Sequence, residues 1–240
     1  MQQRLPALLD DPITFAHRGA RAHAPENTIA AFQLALEMGA GGLESDVWLT
    51  RDGVPVLEHD GVLGRMRKRR IADLTRDELP DWIPSLDDLI DACGTDFHLS
   101  LDLKAPQSGQ PVIDVIVARA PDLVQRTWLC HPDLATLSAL RPANPRVRLI
   151  HSTRLNRLVD GAERHAARLA EAGIDGINMR RDDWTGGLVS LFHRFDRAAF
   201  AWNLQFDHEL RDALRMGIDA VYSDFVDRMM SAYRGELSPG

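Results

Sequence analysis

The stretch Leu43-Glu44-Ser45-Asp46-Val47-Trp48-Leu49-Thr50-Arg51-Asp52-Gly53-Val54-Pro55-Val56-Leu57-Glu58 decides the fold. Leu43 to Leu49 reads as a strand, Thr50-Arg51-Asp52-Gly53 has turn chemistry, and Val54 to Glu58 returns as an antiparallel partner. With that hairpin strand set aside, eight strand-like runs remain: Ile13 to Ala16, Leu43 to Leu49, Phe97 to Leu103, Thr127 to Cys130, Val147 to His151, Gly176 to Asn178, Ala199 to Leu204 and Ala220 to Ser223. Helical patterns separate them at about Thr28 to Met38, Val112 to Ala120, Asp133 to Leu140, Asp160 to Ala172, Leu188 to Phe195, Glu209 to Met216 and Val226 to Tyr233. Eight parallel strands alternating with helices close a (β/α)8 TIM barrel. The alternative is an open doubly wound sheet, but no Gly-x-Gly-x-x-Gly turn follows the first strand, which weighs against that sheet and its dinucleotide.

The rhythm breaks only at 61–84, where a basic run, a helix-like Thr75-Arg76-Asp77-Glu78-Leu79 and two prolines make a short βα excursion within a single domain spanning 1–240. With 240 residues, 45% hydrophobic and 26% charged, the chain can bury a large core, and disorder is excluded. A formal net charge of −7 argues against nucleic acid as a partner. Cys93 and Cys130 form neither a disulfide framework nor a metal-ligand spacing, and no apolar run is long enough for a signal segment or a membrane span. These features predict a soluble cytoplasmic protein, with peripheral membrane contact as its closest approach to lipid.

In Phe97-His98-Leu99-Ser100-Leu101-Asp102-Leu103-Lys104 the alternation of strand faces is complete. The leucines and Phe97 would pack on helices, so His98, Ser100, Asp102 and Lys104 point into the barrel. Glu44 and Asp46 share the inward face of the second strand with Trp48. Converging Glu44, Asp46 and Asp102 would repel one another unless a cation sits among them, and an all-oxygen set suits Mg²⁺ or Ca²⁺. Internal salt bridges to Lys104 or an arginine are the other way to compensate them. His17 and His59 lie at strand C-terminal ends on either side of the carboxylate strand, where two imidazoles can act as base and acid. By contrast, His131, His151 and His193 read as ordinary hydrogen-bonded residues. All but Lys68 and Lys104 of the 28 basic residues are arginine, which singles out Lys104.

The run His17-Arg18-Gly19, Pro25-Glu26-Asn27-Thr28, Ala31-Phe32, Gly39-Ala40, Leu43-Glu44-Ser45-Asp46-Val47, Thr50-Arg51-Asp52-Gly53 and Val56-Leu57-Glu58-His59-Asp60 resembles the glycerophosphodiester phosphodiesterase family. Pro84-Ser85-Leu86, Asp102-Leu103-Lys104, Ala201-Trp202 and Ser223-Asp224-Phe225 extend the resemblance over nearly the whole chain. It implies a (β/α)8 barrel that hydrolyses glycerophosphodiesters to glycerol 3-phosphate and an alcohol with one divalent cation. It further implies Glu44, Asp46 and Asp102 as ligands, His17 and His59 as the acid-base pair, and Arg18, Lys104 and Trp202 as substrate-binding residues. Asp102 stands where the family usually has the longer glutamate, Cys130-His131 replaces a Ser-Phe pair, and Val226 replaces a proline.

Two rival readings keep the barrel. Lysophospholipase D-like or sphingolipid headgroup cleavage on the same site would need an apolar rim, for which Trp82, Ile83 and Trp184 are the candidates. A catalytically silent binding barrel would not need both histidines, three carboxylates and the rare lysine. Arg65, Arg67, Lys68, Arg69 and Arg70 read either as solvated surface or as a loop that steers anions to the barrel mouth.

Overall fold

The structure, a computed structural model, describes residues 4–64, 68–142 and 144–237. Its elements run β1 (Ile13–Ala16), α1 (Ile29–Glu37), β2 (Gly42–Leu49), β3 (Pro55–Leu57), β4 (Val62–Leu63), β5 (Arg69–Arg70), α2 (Leu86–Cys93), β6 (His98–Leu103), α3 (Gly109–Arg119), β7 (Thr127–His131), α4 (Leu134–Leu140), β8 (Arg148–Ser152), α5 (Ala162–Glu171), β9 (Gly176–Arg180), α6 (Gly186–Arg194), β10 (Ala198–Trp202), α7 (Asp207–Arg215), β11 (Ala220–Ser223) and α8 (Val226–Leu237). β1, β2 and β6 to β11 are parallel, and β1 pairs with both β2 and β11, so the sheet closes into a (β/α)8 TIM barrel. β3 is the antiparallel return strand, with Val47 opposite Leu57 and Leu49 opposite Pro55.

Alternation along each strand sorts side chains between two apolar sets. Leu43, Val47, Leu99, Leu101, Leu103, Ile177 and Met179 face outward and bury against helix residues such as Phe32, Leu89, Ile116 and Leu169. Ile13, Phe15, Trp128, Ile150, Phe200 and Tyr222 face inward and plug the barrel, with the Phe15 and Tyr222 rings stacked at 4.8 Å. Burying each large apolar side chain contributes roughly 1.5–3 kcal/mol. Gly42 makes room for this plug, since a Cβ there would lie 2.6 Å from the Phe15 ring. The plug separates His98, at the N-terminal end of β6, from Ser100, Asp102 and Lys104, which line a cavity toward the C-terminal ends of the strands, and that end holds the site.

The sequence reading omits α2. Its apolar stripe of Leu86, Leu89 and Ile90 is short and interrupted by Asp87, Asp88 and Asp91. The helix starts on a capping box: Ser85 Oγ accepts from the Asp88 N–H at 3.1 Å, and the Asp88 carboxylate accepts from the Ser85 N–H at 2.8 Å. Thr75 to Leu79 supplies only a single 3₁₀ turn, Arg76–Glu78. The excursion packs Ile71, Leu74, Leu79 and Ile83 on Val56, beneath Trp48.

Ile83 is therefore fully buried, and Trp184 is buried with its indole N–H donating to the Phe200 carbonyl at 2.9 Å. Both are ordinary packing residues rather than part of the apolar rim that the lysophospholipase D-like reading would need; of its three candidates only Trp82 is exposed. Arg65 and Arg67 of the basic run lie outside the described residues, while Arg69 pairs with Glu78 at 3.1 Å. Among the described residues no helix is long and apolar enough to cross a membrane.

The three histidines read as ordinary are hydrogen-bonded: His131 to the Asp133 N–H, His193 to Asp219, and His151 to His165 at 3.0 Å and to the Pro132 carbonyl. Burial pushes His151 down and His165 down to about 4, with His151 and Arg168 adding to the latter. A folded-state value below the unfolded one gives stability that is present above about pH 6.5 and lost as pH falls toward 4, here on the order of 2–3 kcal/mol for His165. Urea unfolding at pH 7 and pH 4.5 should show this loss, and His165→Leu should flatten it. Equal pH slopes for the two proteins would contradict the assignment.

Candidate active site

The chain turns sharply after β1 to present its first two site residues. Arg18 and Gly19 both take left-handed backbone, at φ 53° and 76°. A Cβ on Gly19 would stand 2.7 Å from the Ala31 backbone, so only glycine fits. The turn aims the Arg18 N–H at Glu44 Oε2, which accepts at 2.9 Å. It also folds the guanidinium back so that Nε lies 3.1 Å from Asp46 Oδ2 and Nη1 lies 2.9 Å from Glu26. Asn27, also left-handed at φ 54°, is buried beside it, donating to Asp46 Oδ2 at 3.3 Å and accepting from Ser45 Oγ at 2.8 Å.

Glu44 and Asp46 project inward from β2, and Asp102 stands directly opposite Asp46 in the β2–β6 register. Lys104 Nζ bridges the last two, 2.8 Å from Asp46 Oδ1 and 3.1 Å from Asp102 Oδ2. His17 places Nδ1 2.6 Å from Asp224 Oδ1 and Nε2 3.8 Å from Glu44 Oε2. His59 pairs with Asp60 at 2.8 Å and stands on the more open side. All eight residues singled out in the sequence, His17, Arg18, Glu44, Asp46, His59, Asp102, Lys104 and Trp202, line one cavity of about 600 Å³ at the C-terminal end of the barrel.

Burial pushes the Glu44 carboxyl up to about 7; Asp46 and Asp102 add to the rise, and His17 opposes it. Burial also works against the charged forms of Asp46 and Lys104, but their mutual pairing outweighs it, holding Asp46 low and Lys104 high. For His17, burial favours the neutral ring, yet the Glu44 charge and the Asp224 hydrogen bond lift it above its ordinary value. Asp224 stays low in spite of burial because His17 answers it.

Among the described residues no three His, Cys, Asp or Glu side chains already stand close enough to form a ligand cluster. Lys104 takes the place between Asp46 and Asp102, the salt-bridge compensation weighed from the sequence. The donor chemistry still fits a hard cation: Glu44, Asp46 and Asp102 offer carboxylate oxygens to one cavity, and the charges of Asp46 and Asp102 add to the rise that burial imposes on Glu44.

Sequence reasoning assigned no role to Asn27 or Asp224, although both sit in quoted motifs. A left-handed asparagine is a recognisable signal. Nothing local marks an acid 207 residues from the imidazole it holds. Also missed were Asn178 and Arg157 on the far wall of the cavity.

Acids, fixed cations and two imidazoles line one open cavity, at the end of a barrel where catalytic groups gather, and the family match makes the chain a phosphoric diester hydrolase. The profile of the Glycerophosphoryl diester phosphodiesterase family matches residues 17–228, and the chain belongs to that family, as the sequence motifs indicated. It is 26% identical over 242 residues to a glycerophosphodiester phosphodiesterase of Bacillus altitudinis, covering 89% of this chain and 95% of that one. Its fold is similar to that of the Thermotoga maritima glycerophosphodiester phosphodiesterase, at a TM-score of 0.80 and 23% identity over 93% of this chain and 99% of that one. A phosphodiesterase of Oleispira antarctica, solved in complex with the product sn-glycerol-3-phosphate, matches at a TM-score of 0.80 and 23% identity over 92% of this chain and 96% of that one.

Proposed function

We propose that this enzyme hydrolyses glycerophosphodiesters to glycerol 3-phosphate and an alcohol, aided by one divalent cation, Mg²⁺ or Ca²⁺. The observation that carries the reading is that the carboxylates of Glu44, Asp46 and Asp102 line a single cavity together with His17 and His59. Those three acids are the residues that would hold the cation, whose chemistry is charge neutralisation at the phosphoryl oxygens.

The chain's own groups do the rest. Arg18 and Lys104 offer fixed positive charge to the non-bridging oxygens. His17, oriented through Nδ1 by Asp224, takes the proton from the attacking group, either water or the substrate's glycerol 2-hydroxyl. His59, on the more open side, gives a proton to the leaving alcohol, and Trp202 covers the bound substrate. The free thiols Cys93 and Cys130 suit the reducing cytoplasm.

The test is release of glycerol 3-phosphate from glycerophosphocholine, glycerophosphoethanolamine, glycerophosphoglycerol and glycerophosphoinositol, read by a coupled assay with and without exhaustive chelation. Turnover on at least one diester, abolished by chelation and restored by Mg²⁺ or Ca²⁺, is the expected result. Undiminished turnover after chelation would remove the cation from this reading.

A further inference from the structure

Across the barrel from the carboxylates, β9 contributes one side chain whose amide oxygen nothing among the described residues answers. Alternation fixes its direction: Ile177 and Met179 pack outward among the helices, so Asn178 between them points inward. Its backbone carbonyl is already engaged, accepting from the Thr153 N–H at 2.9 Å. Its side chain is a wall of the cavity, the residue is only 7% exposed, and its Oδ1 has no hydrogen-bond partner. Buried polar atoms are nearly always paired, and an orphan in a cavity wall marks where a ligand atom belongs.

The chemistry of that ligand atom follows from the amide. Oδ1 calls for a donor, and turning the amide over would call for an acceptor instead. A hydroxyl supplies both, whereas a quaternary ammonium supplies neither.

Depth chooses which half of the substrate carries the hydroxyl. Asn178 pairs in register with Phe200 of the barrel plug and so stands on the cavity floor, while the His59 side chain, at 38% exposure, stands toward the mouth. With His59 serving the leaving alcohol at the mouth, the invariant glycerol half lies on the floor. β9 is four strands from β2 in either direction around the barrel. The glycerol hydroxyl farthest from phosphorus is the group that reaches such a distant wall.

We infer that Asn178 is the residue that selects for glycerol, by hydrogen-bonding the terminal hydroxyl of the glycerol half. The inference rests on the proposed phosphodiesterase activity.

It is tested by pairing a deletion in the protein with a deletion in the substrate. Wild type and Asn178→Leu are assayed on glycerophosphocholine, on the matching diester of propane-1,2-diol that lacks the terminal hydroxyl, and on bis(4-nitrophenyl) phosphate. Wild type should favour glycerophosphocholine over its deoxy analogue by about tenfold or more in kcat/KM. In Asn178→Leu that ratio should fall to near one, with the loss carried mainly by KM, and the Ki of glycerol 3-phosphate should rise by a similar factor. Thermal unfolding should show Asn178→Leu no less stable than wild type, because the substitution removes an unpaired polar atom. Should Leu fail to fold, Asn178→Ala is read for the same ratio. A ratio unchanged by either variant, or equal losses on all three diesters, overturns the assignment while leaving the activity standing. No glycerol 3-phosphate from any glycerophosphodiester in wild type overturns the activity itself, and the assignment with it.

Discussion

Replacing His17 with alanine is expected to lower kcat by about 10²–10⁴-fold, with a melting temperature within about 2–4 °C of wild type. The imidazole belongs to the cavity and not to the core, so its removal leaves the packing of the plug and the outer apolar layer untouched. The pH profile carries the diagnostic. His17 must be neutral to accept a proton, so its protonation sets the acid limb of kcat/KM, and the Glu44 charge and the Asp224 hydrogen bond both raise it. Burial alone would push it the other way, so the limb depends on Glu44 and Asp224. Asp224→Asn removes one of those charges and should move the acid limb to lower pH. For His59→Ala the complementary result is partial rescue on a diester with a nitrophenolate leaving group, which departs without protonation. A His17→Ala enzyme of near wild-type rate would overturn this assignment of the base.

Lys104→Met is expected to cost about 10²–10³ in rate, and Lys104→Arg nearly as much. The ammonium sits between two carboxylate oxygens, at 2.8 and 3.1 Å, a position that suits a compact point charge. A planar guanidinium is larger and spreads its charge over a rigid fork, as Arg18 does nearby in reaching Asp46 through Nε and Glu26 through Nη1. Steady-state kinetics on both variants decide the matter. If Lys104→Arg turns over like wild type, the lysine is there by chance in an arginine-rich chain.

Much of this architecture was legible because strands have a period of two. The alternation in 97–104 separated Leu99, Leu101 and Leu103 from Ser100, Asp102 and Lys104, and the structure divides them along that line. The hairpin at 50–53 was legible too, and removing its return strand gave the count of eight. What stayed hidden depends on distance and burial. α2 escaped because three aspartates dilute a short apolar stripe, and whether Trp82, Ile83 and Trp184 formed a rim or packed inside stayed open because local sequence does not show what covers a side chain. Asn178 carries no local mark, and Asp224 is marked only as part of Ser223-Asp224-Phe225 with no sign of its partner; each gains its meaning only when closure of the barrel brings it to the cavity.

That closure has a consequence for synthesis. The first strand is made at once, yet its partner β11 comes 207 residues behind it in register, since Thr14 pairs with Val221 and Ala16 with Ser223. The aspartate that orients His17 follows directly after that strand. A polypeptide still leaving the ribosome thus carries the imidazole, the carboxylates and the lysine without the residue that aligns the base. The catalytic cavity is therefore finished only with the final stave of the ring, when β11 closes against β1 and brings Asp224 to His17.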